Sequence, residues 1–312
     1  MKNIFITGVS GYIGGKTAKA LAQRNDVHSI VGIDISAPNN SHKKLTFIKK
    51  DVRDPLTDLL KNHEIDSVVH TAYVLPPIHN KKLMENINVS GTENILSACI
   101  ETNVSRLIYT SSATAYGFHP DNEVPLTEES ALRGNDDLTY SKNKKEIEFL
   151  MKKFIENYPD IAVTILRPCY VVGPGFDNPM SNYLKKPMVL LPKKTAPMQF
   201  VHEDDLIRII ILCLEKAITG IFNVAGKGTM ELEEMVDLLG NKIIRLPDSV
   251  LKFLNQMLWY LRIAEAPSSG INQVRYPWIA SPEKLIQETG FAYEYNTKSA
   301  FKDFVRSVGE TG

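Results

Sequence analysis

Apolar and polar positions alternate on two length scales along this chain. Short continuous apolar runs rich in β-branched residues, at 3–7, 29–34, 45–50, 67–71, 106–110 and 162–166, predict strands buried on both faces. Between them lie longer segments with helical spacing of apolar positions, such as 12–24, 83–102 and 140–158. This alternation predicts an α/β chain whose parallel sheet is doubly wound, because parallel neighbours need right-handed crossovers that place helices on both faces. The pattern changes after residue 166, where Gly, Pro and Asn gather in 167–197 and predict long loops. A helix (202–216), a strand (220–224) and a mostly helical tail are expected to follow. The division predicted is a sheet domain of residues 1–168 plus about 197–225, and a smaller lobe of about 169–196 plus 226–312. Ligands of such sheets sit at the carboxyl ends of the strands, so the crevice between the two is the expected site.

Composition narrows the partners. Among 312 residues, 36 Lys and Arg balance 36 Asp and Glu, which gives no overall field to recruit nucleic acid or an anionic membrane. Cys99, Cys169 and Cys213 are far apart, without metal-ligand or disulfide spacing, and imply a reducing, cytoplasmic setting. The apolar run at the start is too short for a secretion signal and leads directly into a glycine motif. No stretch approaches the ~20 apolar residues of a membrane span. Segment 250–264 is interrupted by Lys252, Asn255, Gln256 and Arg262, and reads as an amphipathic helix. A small-molecule partner is therefore expected, with no nucleic acid, membrane or metal.

The first predicted strand runs into Thr7-Gly8-Val9-Ser10-Gly11-Tyr12-Ile13-Gly14, and a helix follows. Glycines here permit a tight turn, let backbone approach a pyrophosphate and let the helix pack on the strand. The helix N-terminus adds free N–H groups and a partial positive charge. A second strand ends in Asp34, twenty positions after Gly14. A carboxylate there suits two ribose hydroxyls and repels a 2′-phosphate, and no arginine follows it (Ile35, Ser36). The residues predict NAD rather than NADP.

Tyr140 and Lys144, at i and i+4, share one helix face. A neighbouring ammonium favours phenolate and is expected to lower the tyrosine pKa from its ordinary ~10, fitting it to exchange a proton with an alcohol. Upstream, residues 109–117 read Tyr-Thr-Ser-Ser-Ala-Thr-Ala-Tyr-Gly at a predicted strand end. A hydroxyl there can polarise a reacting oxygen.

In order and spacing these motifs resemble the extended short-chain dehydrogenase/reductase superfamily, within it the NAD-dependent epimerase/dehydratase group, over nearly the whole chain. The glycine spacing is GxxGxxG, Asn88-Val89-Ser90-Gly91-Thr92 matches the group's NVxGT helix, and Leu166–Gly175 resembles its LRPxxVxGPG segment. The resemblance implies a Rossmann fold and NAD. It implies Ser112 (with Ser111 as fallback), Tyr140 and Lys144 as the catalytic group, Lys144 also holding the cofactor ribose. Cofactor contacts are implied at Gly8, Gly11, Tyr12, Ile13, Gly14, Asp34, Asp51, Val52, His70, Thr71, Ala72, Asn88, Ser111, Tyr170 and Val171. Thr114, Tyr73 and Tyr170 are expected at the substrate. A homodimer through the helices at 83–102 and 140–158 is also implied. Arg167 reads as a structural ion-pair residue, and Asp204 and Asp205 as the acidic start of a helix.

Three departures bear on the reaction. Sugar-nucleotide dehydratases of this group place Asp-Glu after the catalytic hydroxyl, whereas Ala113-Thr114 stands here, which disfavours dehydration. Ser-Ala-Thr resembles the sugar-nucleotide 4-epimerases, but Tyr170 stands where many of these enzymes carry a diphosphate-binding asparagine. The loop 73–78 and the residues Phe253, Leu254, Met257, Leu258, Trp259 and Tyr260 are more apolar than a sugar site requires. They read either as a stripe packed on the sheet domain or as a pocket wall for a lipophilic alcohol or ketone, as in the 3β-hydroxysteroid dehydrogenase-like branch. The expectation is an NAD-dependent epimerase that transiently oxidises a secondary alcohol of a nucleotide sugar. The alternatives are net dehydrogenation of a lipophilic alcohol and a non-catalytic NAD-sensing regulator.

Overall fold

The structure, a computed structural model, describes residues 2–39 and 42–310. Its strands in chain order are β1 (Asn3–Thr7), β2 (Ser29–Asp34), β3 (Leu45–Lys49), β4 (Ser67–His70), β5 (Arg106–Thr110), β6 (Ala162–Pro168), β7 (Tyr170–Val172), β8 (Met188–Pro192), β9 (Phe200–His202), β10 (Gly220–Val224) and β11 (Lys242–Leu246). Seven of them form one parallel sheet in the order β10-β6-β5-β4-β1-β2-β3. The apolar runs explain it, because each strand sends alternate residues into a core on either face. Ile4 and Ile6 of β1 enter one cluster with Val69, Ile108 and Phe222, while Phe5 enters the other with Val68, Leu107 and Ile165. This is the doubly wound Rossmann arrangement the sequence predicts.

The chain travels outward from β1 in one direction through β2 and β3, then returns to start the other half at β4. Thr7 of β1 is in register with His70 of β4, so these strand ends lie level at the switch point. Helices Tyr12–Ala22, Gly91–Thr102, Thr139–Asn157 and Glu203–Lys216 cover the sheet. The predicted helix at 83–102 is three pieces, with a π-helical turn at Asn86–Ser90 between Lys81–Glu85 and Gly91–Thr102.

The expected loops of 167–197 hold more order than the sequence suggests. β7 pairs with β9, and β8 pairs with β11, making two small parallel ribbons. The tail beyond β10 is mostly helical as expected, with β11 as a strand inside it. Among the described residues, no helix is long and apolar enough to cross a membrane, and no His/Cys/Asp/Glu group could hold a metal ion.

Candidate active site

The carboxyl ends of the central strands open into a cleft of about 620 Å³. β1 enters it through Gly8, whose φ of +72° suits glycine and whose added Cβ would lie 2.7 Å from the Ala72 backbone nitrogen. A Cβ at Gly14 would stand 2.1 Å from the Gly8 carbonyl oxygen, so the helix packs this closely only without one. Gly11 lines the cleft, and a Cβ there meets only Gly8 O, at 3.2 Å. A side chain at Gly11 would therefore take up cleft space. No side chain caps the helix start, which leaves its N–H groups for an anion. Asp34 stands beside this turn, its carboxylate accepting from the Ser10 and Ser36 amides at 3.1 and 3.3 Å.

Helix Thr139–Asn157 brings Tyr140 and Lys144 to the same cleft. Lys144 Nζ donates to the Thr110 carbonyl at 2.8 Å and lies 3.8 Å from the Tyr73 ring centroid, against 5.9 Å for Tyr140. That cation–π contact fixes the ammonium from one side. Tyr73 donates to the Tyr140 carbonyl at 3.1 Å and meets its ring edge-on. Burial pushes the Tyr140 phenol above its ordinary value, against smaller opposing pulls from the Ser112 and Thr114 hydroxyls. The expectation that Lys144 sets this phenol low is thus corrected. Burial also pushes Lys144 itself down to about 7, with Glu148 opposing, so its charged and neutral forms are comparable near neutral pH.

Ser112 opens a 3-10 turn, its Oγ accepting from the Thr114 amide at 3.2 Å. Thr114 Oγ1 is buried at the cleft and faces the Tyr140 phenol without a well-formed hydrogen bond. Ser111 is engaged elsewhere: it donates to Glu148 Oε1 at 2.5 Å, and Glu148 forms a buried ion pair with Arg167 at 2.5 Å. Arg167 also donates to the Tyr116 hydroxyl at 2.7 Å. Ser112, not Ser111, is the hydroxyl that faces Tyr140.

The glycine turn from Gly8 to Gly14 with Tyr12 and Ile13, together with Thr71, Tyr73, Ser111, Ser112, Thr114, Tyr140, Lys144, Tyr170 and Val171, lines the cleft. Asp51, Val52, His70, Ala72 and Asn88 do not. His70 is buried between the hydroxyls of Thr7 (2.7 Å) and Thr92 (3.0 Å), and burial, aided by Lys144, pushes it down to about 3. It is a neutral scaffold residue. Asn88 accepts from the Val74 amide at 2.8 Å and so shapes the loop that carries Tyr73. Asp51 pairs with Arg53 at 2.7 Å. Val52 packs where a Cβ on Gly91 would stand 2.5 Å away, and Ala72 backs Gly8.

The opposite wall is apolar. Leu75, Pro76, Met188, Leu251, Leu254 and Leu258 contribute to it. Lys144, Lys186, Asp177 and Glu265 are the charged residues lining the cleft, two cations against two acids. Tyr170 donates to Gln273 and packs edge-on against Trp278 at 5.2 Å. Helix Asp248–Tyr260 walls the cleft with one edge only. Its Phe253 and Tyr260 are 64% and 74% exposed while Trp259 stacks on His79, so its stripe packs on the sheet domain only in part.

Sequence reasoning missed Glu203, having weighed only its neighbours Asp204 and Asp205. Glu203 is buried and accepts from the Tyr12 hydroxyl and the Gly175 amide (3.0 Å), and pairs with Lys16 at 2.7 Å. A Cβ on Gly173, at φ +154°, would lie 2.5 Å from its side chain. No spacing in the sequence signals this clasp, because its partners come from the glycine-turn helix and the loop after β7.

A glycine turn at the switch point of a doubly wound sheet, faced by Tyr140, Lys144 and Ser112, defines a dinucleotide-dependent enzyme of the extended short-chain dehydrogenase/reductase type. The chain belongs to the NAD-dependent epimerase/dehydratase family, whose model matches residues 4–225. An uncharacterised protein of Mycobacterium tuberculosis is 26% identical over 319 residues, spanning 99% of this chain and 85% of its own length. Short-chain dehydrogenase/reductase family 42E member 1 of Xenopus laevis is 33% identical over 235 residues, 69% of this chain and 58% of its own. The UDP-glucose 4-epimerase of Thermotoga maritima, crystallised with UDP-glucose, superposes with a TM-score of 0.79 at 18% identity, covering 99% of both chains. The cofactor of the family is NAD, and the bare turn at Gly8, Gly11 and Gly14 with its uncapped helix fits a pyrophosphate.

Proposed function

We propose that this enzyme oxidises a secondary carbinol of a largely apolar substrate to the ketone, or reduces that ketone back to the carbinol, with NAD as the hydride partner. The observation that carries the reading is the cleft lining beyond Tyr140, apolar and with balanced charge. A nucleotide sugar brings a diphosphate, which needs net positive charge or dense hydrogen bonding. Lys186 alone is a poor counterpart, and the position of the diphosphate-binding asparagine holds Tyr170, whose hydroxyl is occupied by Gln273. Bound NAD would supply the acceptor or donor of hydride. Tyr140 removes the carbinol proton or returns it, Ser112 hydrogen-bonds the reacting oxygen, and Lys144, when charged, favours phenolate and holds ribose hydroxyls. Gly8 to Gly14 receive the pyrophosphate, and Asp34 the adenosine ribose.

Epimerisation of a nucleotide sugar, the reading the sequence favours, keeps one specific support: Thr114 Oγ1 is buried at the cleft beside the Tyr140 phenol, a place for a sugar hydroxyl. The two separate in one experiment. The enzyme is given NAD and a panel of hydroxysteroids and long-chain secondary alcohols, and NADH is followed near ~340 nm. In parallel, UDP-glucose and UDP-galactose are incubated without added cofactor and followed by NMR. NADH formation with no sugar interconversion is the expected outcome. Interconversion without net NADH overturns the apolar reading in favour of the epimerase.

A further inference from the structure

We propose that the helix Asp248–Tyr260, with the β8–β11 ribbon beside it, docks this enzyme on the surface of an anionic lipid bilayer. The helix has 13 residues, a length of ~20 Å at 1.5 Å per residue, which suits lying in an interface rather than crossing it. Val250, Phe253, Met257 and Leu261 recur at helical spacing and are exposed, Leu261 by 63%, and Ile263 beyond them by 65%. An unbroken apolar stripe of this kind on the surface of a globular domain marks an interaction site rather than ordinary surface.

Charge identifies the partner. Segments 177–196 and 241–265, which hold the ribbon and the helix, carry eight Lys or Arg and three acids, Asp177, Asp248 and Glu265, in a chain whose totals are 36 and 36, and one of the cations, Arg245, is paired with Glu233. Asp248 is paired with Arg275 at 2.7 Å. Lys193, Lys194, Lys242, Lys252 and Arg262 form no ion pair among the described residues. Lys242 lies opposite Met188 across the ribbon, Met188 is 58% exposed, and it lines the cleft. The neutral total thus hides a local excess of cations around an apolar stripe, the combination that anionic headgroups over an acyl layer select.

The surface is also continuous with the cleft. Leu254, Leu258 and Ile263 are exposed and line the cleft at once, so its mouth opens within the docking face. A lipophilic substrate could pass from the bilayer to Tyr140 without crossing water. The docking itself rests on the face and its charge, and stands apart from the substrate reading.

The test uses the full chain and vesicles of phosphatidylcholine with about one-third phosphatidylglycerol, against phosphatidylcholine alone. Co-sedimentation is expected with the anionic vesicles only, weakening as salt shortens the screening length. Phe253→Ser with Leu261→Ser, and separately Lys242→Glu with Lys252→Glu, should each weaken vesicle binding about tenfold or more. None of these residues lines the cleft, so NAD affinity and melting temperature serve as controls for folding. No binding to anionic vesicles at low salt overturns the proposal. So does a concentration-dependent dimer that Phe253→Ser with Leu261→Ser dissociates, since the stripe is then a subunit interface. Vesicle binding together with UDP-sugar interconversion would leave the docking standing and overturn the apolar substrate.

Discussion

The wall made by Gly8–Gly14, Thr71 and Thr110–Ser112 is backbone at the ends of strands, whereas the facing wall is side chains from segments 73–77, 188–192 and 251–274. On the first wall, function depends on the main chain approaching closely, and sheet register fixes that approach. A single Cβ at Gly14 would stand 2.1 Å from a carbonyl oxygen. On the second, shape depends on which apolar side chain stands where, and volume-conserving exchanges of such residues cost little. One wall is intolerant and general, the other tolerant and specific. A family built this way keeps its hydride chemistry and changes its substrates.

The sharpest break should come at the junction of the two walls. Tyr140→Phe is expected to lower kcat by about a thousandfold while leaving NAD affinity unchanged by calorimetry. A variant that kept most of its turnover would remove Tyr140 from the proposed proton transfer.

Next in size is the pH dependence of stability set by Lys144. Its folded pKa of about 7 lies below the ordinary 10.5, so between those values the unfolded chain binds more protons and stability rises with pH. The full penalty, with a ceiling of roughly 5 kcal/mol, applies below pH ~7. His70, depressed from 6.5 to about 3, acts in a lower window, where stability falls as acid is added. Lys144→Met should therefore be more stable than wild type at pH ~6, with the gap narrowing toward pH ~10. Urea unfolding across that range measures it, and a gap independent of pH would contradict the buried, depressed lysine.

The smallest effect is expected at Asp34, which stands beside the turn without lining the cleft. Asp34→Ala should weaken NAD about tenfold and leave NADP less affected, narrowing the preference between them. Equal affinities in the wild type, by titration, would remove the carboxylate as the discriminator.

The same contrast explains what was legible in the sequence. The six strands predicted up to residue 166 end within two residues of the observed ones, because continuous apolar runs and glycine turns are local signals. The chain positions of Tyr140, Lys144 and Ser112 were legible for that reason. β7, β8, β9 and β11 are three to five residues long and pair with partners distant in sequence. Nothing in their own residues separates them from loops. His70 and Asn88 look functional by motif, yet their partners, Thr7, Thr92 and Val74, make them scaffold. The apolar residues of 253–260 were visible, but which edge of the helix would face the cleft depended on where β8 lay.

The Glu203 clasp has a consequence for how the molecule is assembled. Tyr12 and Glu203 are separated by 191 positions, so during synthesis the glycine turn leaves the ribosome long before its carboxylate partner exists. A nascent chain ending after β6 already contains six strands of the sheet and both ends of the turn, but neither the Gly175 loop nor the acid that will hold Tyr12 and Lys16 to it. The glycine turn is therefore among the first parts translated, and its clasp can close only once nearly two-thirds of the polypeptide has been made.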